Sequence, residues 1–187
     1  MKPIPCQPTK GFTILELMVA ITVVAILIGL AVPSLTEIIK RNEIAAQNNE
    51  LIALVHLARN EAIRRNPVGN ETVTVEFVRN SVDSTWEGFV RPPGDTETAA
   101  GCPTGAIRCS TQSNSRLTVA GWTSGNFVIR FDNRGYSVGG SGEPVTVLLN
   151  LAHRNCESDR HARLVRVLPA GQVDSDPTAC AEEDPDV

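Results

Sequence analysis

Gly11-Phe12-Thr13-Ile14-Leu15-Glu16, followed by the apolar run from Leu17 to Val32, is the stretch on which the reading of this chain turns. Between Leu17 and Val32 the one polar side chain is that of Thr22. As a helix, Phe12 to Leu35 would extend roughly 30 to 36 Å, the thickness of a bilayer's hydrocarbon core. Within that segment stands Glu16, and an unpaired carboxylate there costs at least roughly 2.5 kcal/mol. A partner for the charge is therefore expected. The plain alternative is a Glu16 that snorkels to the headgroups, since it lies close to the helix start. A secretory signal peptide would carry a shorter apolar region, about 7 to 15 residues, closed by a small-residue cleavage site. Here the run is longer and leads into more helical pattern.

Gly11-Phe12 followed by Glu16 and an apolar helix resembles the N-terminal signature of type IV pilins and type II secretion pseudopilins. The resemblance implies cleavage by a prepilin peptidase between Gly11 and Phe12 and N-methylation of Phe12. It also implies an assembly-register role for Glu16, whose carboxylate would neutralise the new α-ammonium of a neighbouring subunit. On this reading residues 1–11 are a leader peptide and 12–35 the transmembrane and filament-core helix. Residues 36–66 are the periplasmic half of that helix, and 67–187 a periplasmic β-domain with an acidic tail. Pro3, Pro5 and Pro8 argue against helix in the leader, and Gly29 with Pro33 predicts a kink or loosened turn before helix resumes at Ser34.

With 187 residues, 42% hydrophobic and 20% charged, the chain has room for a membrane helix and one domain of ordinary size. Loss of Lys2 and Lys10 with the leader moves the formal net charge from -4 to -6, so a polyanion is not the default partner. Those lysines suit an N-in, C-out orientation; Lys40 and Arg41 on the far side weaken the argument, and orientation rests more on the resemblance and the cysteines. Cys6 would leave with the leader. Cys102, Cys109, Cys156 and Cys180 remain, an even set suited to an oxidising compartment. Of the three possible connectivities, the favoured one joins Cys102 to Cys109, closing the loop of residues 103–108, and Cys156 to Cys180, tethering the tail. No CxxC pair occurs, and His56, His153 and His161 show no ligand spacing with the cysteines, so neither metal nor cofactor is implied.

Beyond the membrane segment, Ile38, Ile39, Ala45, Leu51, Ile52, Val55, Ala58 and Ala62 recur at near-helical spacing to about Asn66. Pro67-Val68-Gly69-Asn70 then stops the helix. Strands are predicted at residues 72–78, 86–91, 117–119, 127–131, 145–151 and 164–168, and a surface loop over much of 79–116. One long helix followed by short strands gives an α+β fold in which an antiparallel sheet, or a pair of sheets forming a sandwich, packs on the helix. The helical segment from Asn49 to Arg65, with its Arg59-Asn60-Glu61-Ala62 sequence, and the distal stretches Phe131-Asp132-Asn133-Arg134-Gly135 and Pro169-Ala170-Gly171-Gln172-Val173 resemble the FimT/FimU minor pilins and the GspH pseudopilin. Arg59, Arg64 and Arg65 read as a solvated face, the last two also favourable at a helix C-terminus.

Catalytic patterns are missing. Gly139-Gly140-Ser141-Gly142 lacks the Lys-Ser/Thr ending of a phosphate loop, and no serine has a neighbouring His and Asp pattern; an enzyme is not expected. FimT-type pilins are implicated in DNA uptake through a Gly-Arg-x-Arg sequence, but the matching place here reads Gly171-Gln172-Val173-Asp174. Arg154, Arg160, Arg163 and Arg166 offer a basic set just upstream, while Asp174, Asp176, Glu182, Glu183, Asp184 and Asp186 would oppose phosphate. DNA is thus a considered partner, not a favoured one, and Trp86 and Trp122 read as core or interface aromatics. The resemblance implies a minor pilin of a bacterial inner membrane, single-pass with a periplasmic C-terminal domain, that enters a type IV pilus as primer or tip component. Its partners would be prepilin peptidase and other minor and major pilins. The alternatives are a GspH-type pseudopilin of a type II secretion system and a DNA-binding uptake pilin.

Overall fold

The computed structural model describes residues 11–79, 86–95, 102–111, 117–120 and 126–180. Residues 1–10, Trp122 and the acidic residues 181–187 lie outside that set. The chain forms two compact units, Met1–Ile39 and Lys40–Val187. Helix α1 (Ile14–Arg65) is assigned without a break through Gly29 and Pro33, where an interruption was expected. One proline withdraws a single amide donor, and an apolar run offers its remaining amides no partner except the helical ladder. The helix closes at Asn66, whose φ of 47° is left-handed and whose N–H reaches Ala62 O at 3.0 Å, a C-terminal stop made by asparagine in the place glycine usually takes.

Nine strands follow among the described residues: β1 (Val73–Arg79), β2 (Trp86–Arg91), β3 (Arg108–Thr111), β4 (Leu117–Ala120), β5 (Asn126–Phe131), β6 (Ser137–Val138), β7 (Val147–His153), β8 (Ala162–Val167) and β9 (Val173–Pro177). A 3-10 turn, Asp159–His161, precedes β8. They form two antiparallel sheets, ordered β3-β2-β1-β5-β6 and β4-β7-β8-β9.

Within the larger unit, Ile44, Leu51, Leu54, Val55, Ala58 and Ala62 make one buried stripe of α1, recurring at the i, i+3, i+4 and i+7 positions of a helix face. Against most of that stripe pack Val73, Val75 and Phe77 of β1, Ile129 and Phe131 of β5, and Leu149, Val165 and Val167 from the second sheet. Each fully buried side chain of this size contributes roughly 1.5 to 3 kcal/mol. Trp86 is 2% exposed and meets Phe77 edge-on, centroids 5.4 Å apart, which is the core role expected of it. Gly88 lets the helix approach this sheet, since a Cβ there would lie 2.6 Å from Leu54 Cδ1.

Several expectations need correction. Ile38 and Ile39 are half exposed, while Ile44 and Leu54, absent from the predicted stripe, are buried. The 79–116 stretch carries β3 as well as β2, because Cys109 pairs in register with Phe89. β9 went unpredicted because Val173-Asp174-Ser175-Asp176-Pro177 has no apolar alternation. It is held by polar complementarity: Arg166 of β8 pairs with Asp174 and Asp176, and Ser175 Oγ donates to the buried Asn48 Oδ1 of α1 at 2.8 Å. Arg59 is not a solvated face residue. Its Nε donates to Gly135 O and its Nη2 to Ala170 O, both at 3.1 Å, so it clasps the β5–β6 and β8–β9 turns together. Arg64 and Arg65 both bond Glu61, at 2.6 and 2.7 Å, and hold its carboxyl below the usual carboxylate range.

Candidate functional site

In the first unit the N-terminus of α1 is built by Thr13. Its hydroxyl accepts the Glu16 N–H at 3.2 Å while its carbonyl accepts the Leu17 N–H, also at 3.2 Å. Thr13-x-x-Glu16 is thus a capping-box spacing, and it places the Glu16 carboxylate in the first turn, where the helix dipole favours a negative charge. Thr13 is a residue that sequence reasoning missed, although the spacing was there to be read. The hydroxyl of Thr22 is satisfied inside the helix by Met18 O at 3.0 Å and Val19 O at 2.8 Å, so it presents no open donor on the apolar surface.

Every large apolar side chain from Phe12 to Val32 is half or more exposed. By length and composition this helix is apolar enough to cross a membrane. A Cβ placed on Gly11 or on Gly29 would meet nothing within 4 Å, and neither has a positive φ. Among the described residues nothing therefore requires glycine at either position.

In the larger unit both expected disulfides are formed, Cys102–Cys109 and Cys156–Cys180, with Cα separations of 5.8 and 5.7 Å. The first fastens the end of the β2–β3 connection to β3; the second joins the loop after β7 to the chain leaving β9. The four arginines of the basic set are not brought to one face. Arg154 and Arg160 are exposed in the turn after β7 and in the 3-10 turn. Arg163 sits opposite Leu151 in register, on the face of β8 that looks toward the core, whereas Arg166, an odd number of residues on, points from the other face. Arg166 donates to Asp174 at 2.7 Å and also to Asp176. That contact holds the Asp174 carboxyl below its ordinary value. His161, which follows Arg160 in the chain, is buried.

A second polar site was not anticipated. Glu76 of β1 and Arg91 of β2 are 4% and 2% exposed and joined at 2.6 Å, with Asp95 at 3.6 Å from Nη1 and the Phe89 ring under the guanidinium at 5.9 Å. A cleft of about 570 Å³ opens beside this pair, bordered by Glu71, Thr74 and Arg130. The alternation Thr72-Val73-Thr74-Val75-Glu76 correctly sets Glu76 on the non-core face, but nothing in it shows that this face is covered too. Among the described residues no group of three or more His, Cys, Asp or Glu could hold a metal ion.

Residues 47–171 match the family profile described as type II transport protein GspH. Residues 7–32 match the prokaryotic N-terminal methylation motif. No curated protein matches the chain. Among solved structures, the crystal structure of the type IV minor pilin FimU of Pseudomonas aeruginosa in space group P21 is 17% identical, with a TM-score of 0.50, covering 73% of this chain and 90% of that one. A second crystal form of FimU, in P65, is 15% identical with a TM-score of 0.42, covering 69% and 89%. At 17% identity the likeness to the P21 form is one of fold.

Proposed function

We propose that this chain, which belongs to the GspH family, is a minor pilin: a subunit cut after Gly11, methylated at Phe12 and drawn from the inner membrane into a type IV pilus, where it primes assembly or sits in the tip complex. The observation that carries the proposal is the surface from Phe12 to Val32, apolar apart from Thr13, Glu16 and Thr22, whose large apolar side chains are all half or more exposed among the described residues. Such a surface needs lipid first and neighbouring helices afterwards. The match of residues 7–32 to the methylation motif supports the processing step, and so does Gly11, a glycine that nothing among the described residues requires. Glu16, in the first turn of α1, is within reach of the α-ammonium that a cut before Phe12 creates on an adjacent subunit sliding into register. Prepilin peptidase and other pilins are the partners on this reading, and the proposed role is assembly, not catalysis.

The experiment is mass spectrometry of the mature chain from the native cell envelope. A chain beginning at Phe12 and carrying one N-terminal methyl group supports the proposal; an intact Met1 would sink it. A second reading, a pseudopilin of a type II secretion system, is supported by the description of the family profile. Deleting the gene separates the two: loss of surface pili favours the first, loss of exoprotein release with pili intact favours the second. The DNA-uptake reading gains no support from the placement of Arg163 and Arg166 on opposite faces of β8.

A further inference from the structure

His153, at the end of β7, and His161, at the end of the 3-10 turn, are 4% and 1% exposed, and both rings are engaged by the loop between them. Asn155 N–H donates to His153 Nδ1 at 3.1 Å; Glu157 N–H donates to His161 Nδ1 at 3.3 Å. A ring nitrogen that accepts a hydrogen bond has no proton of its own, so neutral His153 carries its proton on Nε2. That atom faces Glu43 Oε2 of α1 at 3.4 Å. The charged and titratable groups around His153 are Glu43 and Lys40 from α1 and His161 from the 3-10 turn; β4 sets the apolar Leu117 opposite it. Lys40 also holds the loop, reaching Asn155 O and Glu157 Oε1, each at 3.5 Å. Burial lowers the pKa of His153 from its ordinary value, outweighing the attraction of Glu43.

We propose that residues 153–161 form a proton-operated latch, in which a proton taken from solvent by His153 leaves the ring on Glu43 through Nε2 but makes Nδ1 a donor facing the Asn155 N–H, so that the loop lifts. Two donors cannot share that contact, and the loop is the side that moves, because β7 is paired with β4 as far as His153 and with β8 as far as Ala152. Cys156 lies in the loop and is bonded to Cys180, so Cys180 travels with it. Closed and open loops differ in proton affinity in a definite sense: the closed loop favours neutral imidazole. The latch is therefore shut above the ordinary histidine value of about 6.5 and opens as pH falls below it. It works on the loop and on Cys180 bonded to it, beyond the subunit's assembly through α1.

The test is amide hydrogen exchange by NMR on the full-length chain in detergent micelles, between about pH 5 and 8, with opening constants corrected for intrinsic exchange. The opening constant at Asn155 should rise by up to about tenfold per pH unit below the ordinary histidine value, while the core amides of Val75 and Ile129 hold steady. An Asn155 amide whose opening is flat with pH, or rises only in step with Val75 and Ile129, overturns the latch. His153→Asn keeps an oxygen acceptor near the Nδ1 position and does not titrate, so its Asn155 amide should lose the pH dependence; retained dependence overturns the assignment. Should that variant fail to fold, the ring-nitrogen shifts of His153 in the unaltered chain decide: an Nε2–H tautomer at neutral pH supports the latch, and an Nδ1–H tautomer ends it.

Discussion

Gly171→Ala tests the clasp that Arg59 makes between the two distal turns. Gly171 has φ +72°, and a Cβ there would fall onto the carbonyl oxygen of Gly135, well inside contact distance, and 2.6 Å from Arg59 Nε. Left-handed backbone costs an L side chain roughly 1 to 2 kcal/mol. The new methyl must also displace the Gly135 carbonyl from Arg59, and a hydrogen bond to a charged group contributes about 1.5 to 3 kcal/mol. Together these give a loss of roughly 2.5 to 5 kcal/mol, a large part of the stability of an ordinary domain. Urea unfolding of the full-length chain in mild detergent, followed by tryptophan fluorescence, reads the change, since Trp86 is buried in the core. Arg59→Ala removes the hydrogen bonds at 3.1 Å to Gly135 and Ala170, so the two substitutions should be less than additive, by about 0.5 to 3 kcal/mol. A loss below about 1 kcal/mol for Gly171→Ala, or strict additivity with Arg59→Ala, would refute the reasoning.

Other substitutions probe the packing, the tail and the charge pairs. Leu54→Ala, at a site fully buried between helix and sheets, should lower unfolding stability by about 2 to 5 kcal/mol in the same urea assay. Cys156→Ser opens a bridge spanning 24 residues and should lower stability by about 3 kcal/mol, with proteolysis beginning after β9; equal protease resistance would contradict a tethering role. Asp174 titrates below its ordinary value because Arg166 hydrogen-bonds it. Its contribution is thus present above the ordinary carboxylate value and lost as pH falls through the depressed one. In Arg166→Ala the Asp174 midpoint, followed by NMR of its carboxyl carbon, should climb back toward the ordinary value; an unmoved midpoint would show that Arg166 is not the cause.

Legibility in the sequence followed the physics of each element. The apolar run, Glu16 and Gly11-Phe12 can be read because they are local, and a membrane helix is specified by composition over one continuous stretch. The strands of β1, β2 and β5 were legible from alternation, and β7 and β8 to within two residues at their ends. β9 was not, since its pairing depends on Arg166 eight and ten residues away across a turn, and on Asn48 in α1. Arg59 looked like a surface arginine for the same reason, its two acceptors lying 76 and 111 residues further on.

By itself the sequence determined the apolar N-terminal run with Glu16, the helix-then-strands order and the pool of four cysteines, because spacing and composition act within a few turns or one strand. Only the tertiary structure decided that Arg59 clasps two distal turns, that Glu76 and Arg91 are buried as a pair, and that His153 and His161 close on one loop. Each of those depends on which segments distant in the chain are brought into register, and register is set by sheet pairing and core packing as a whole.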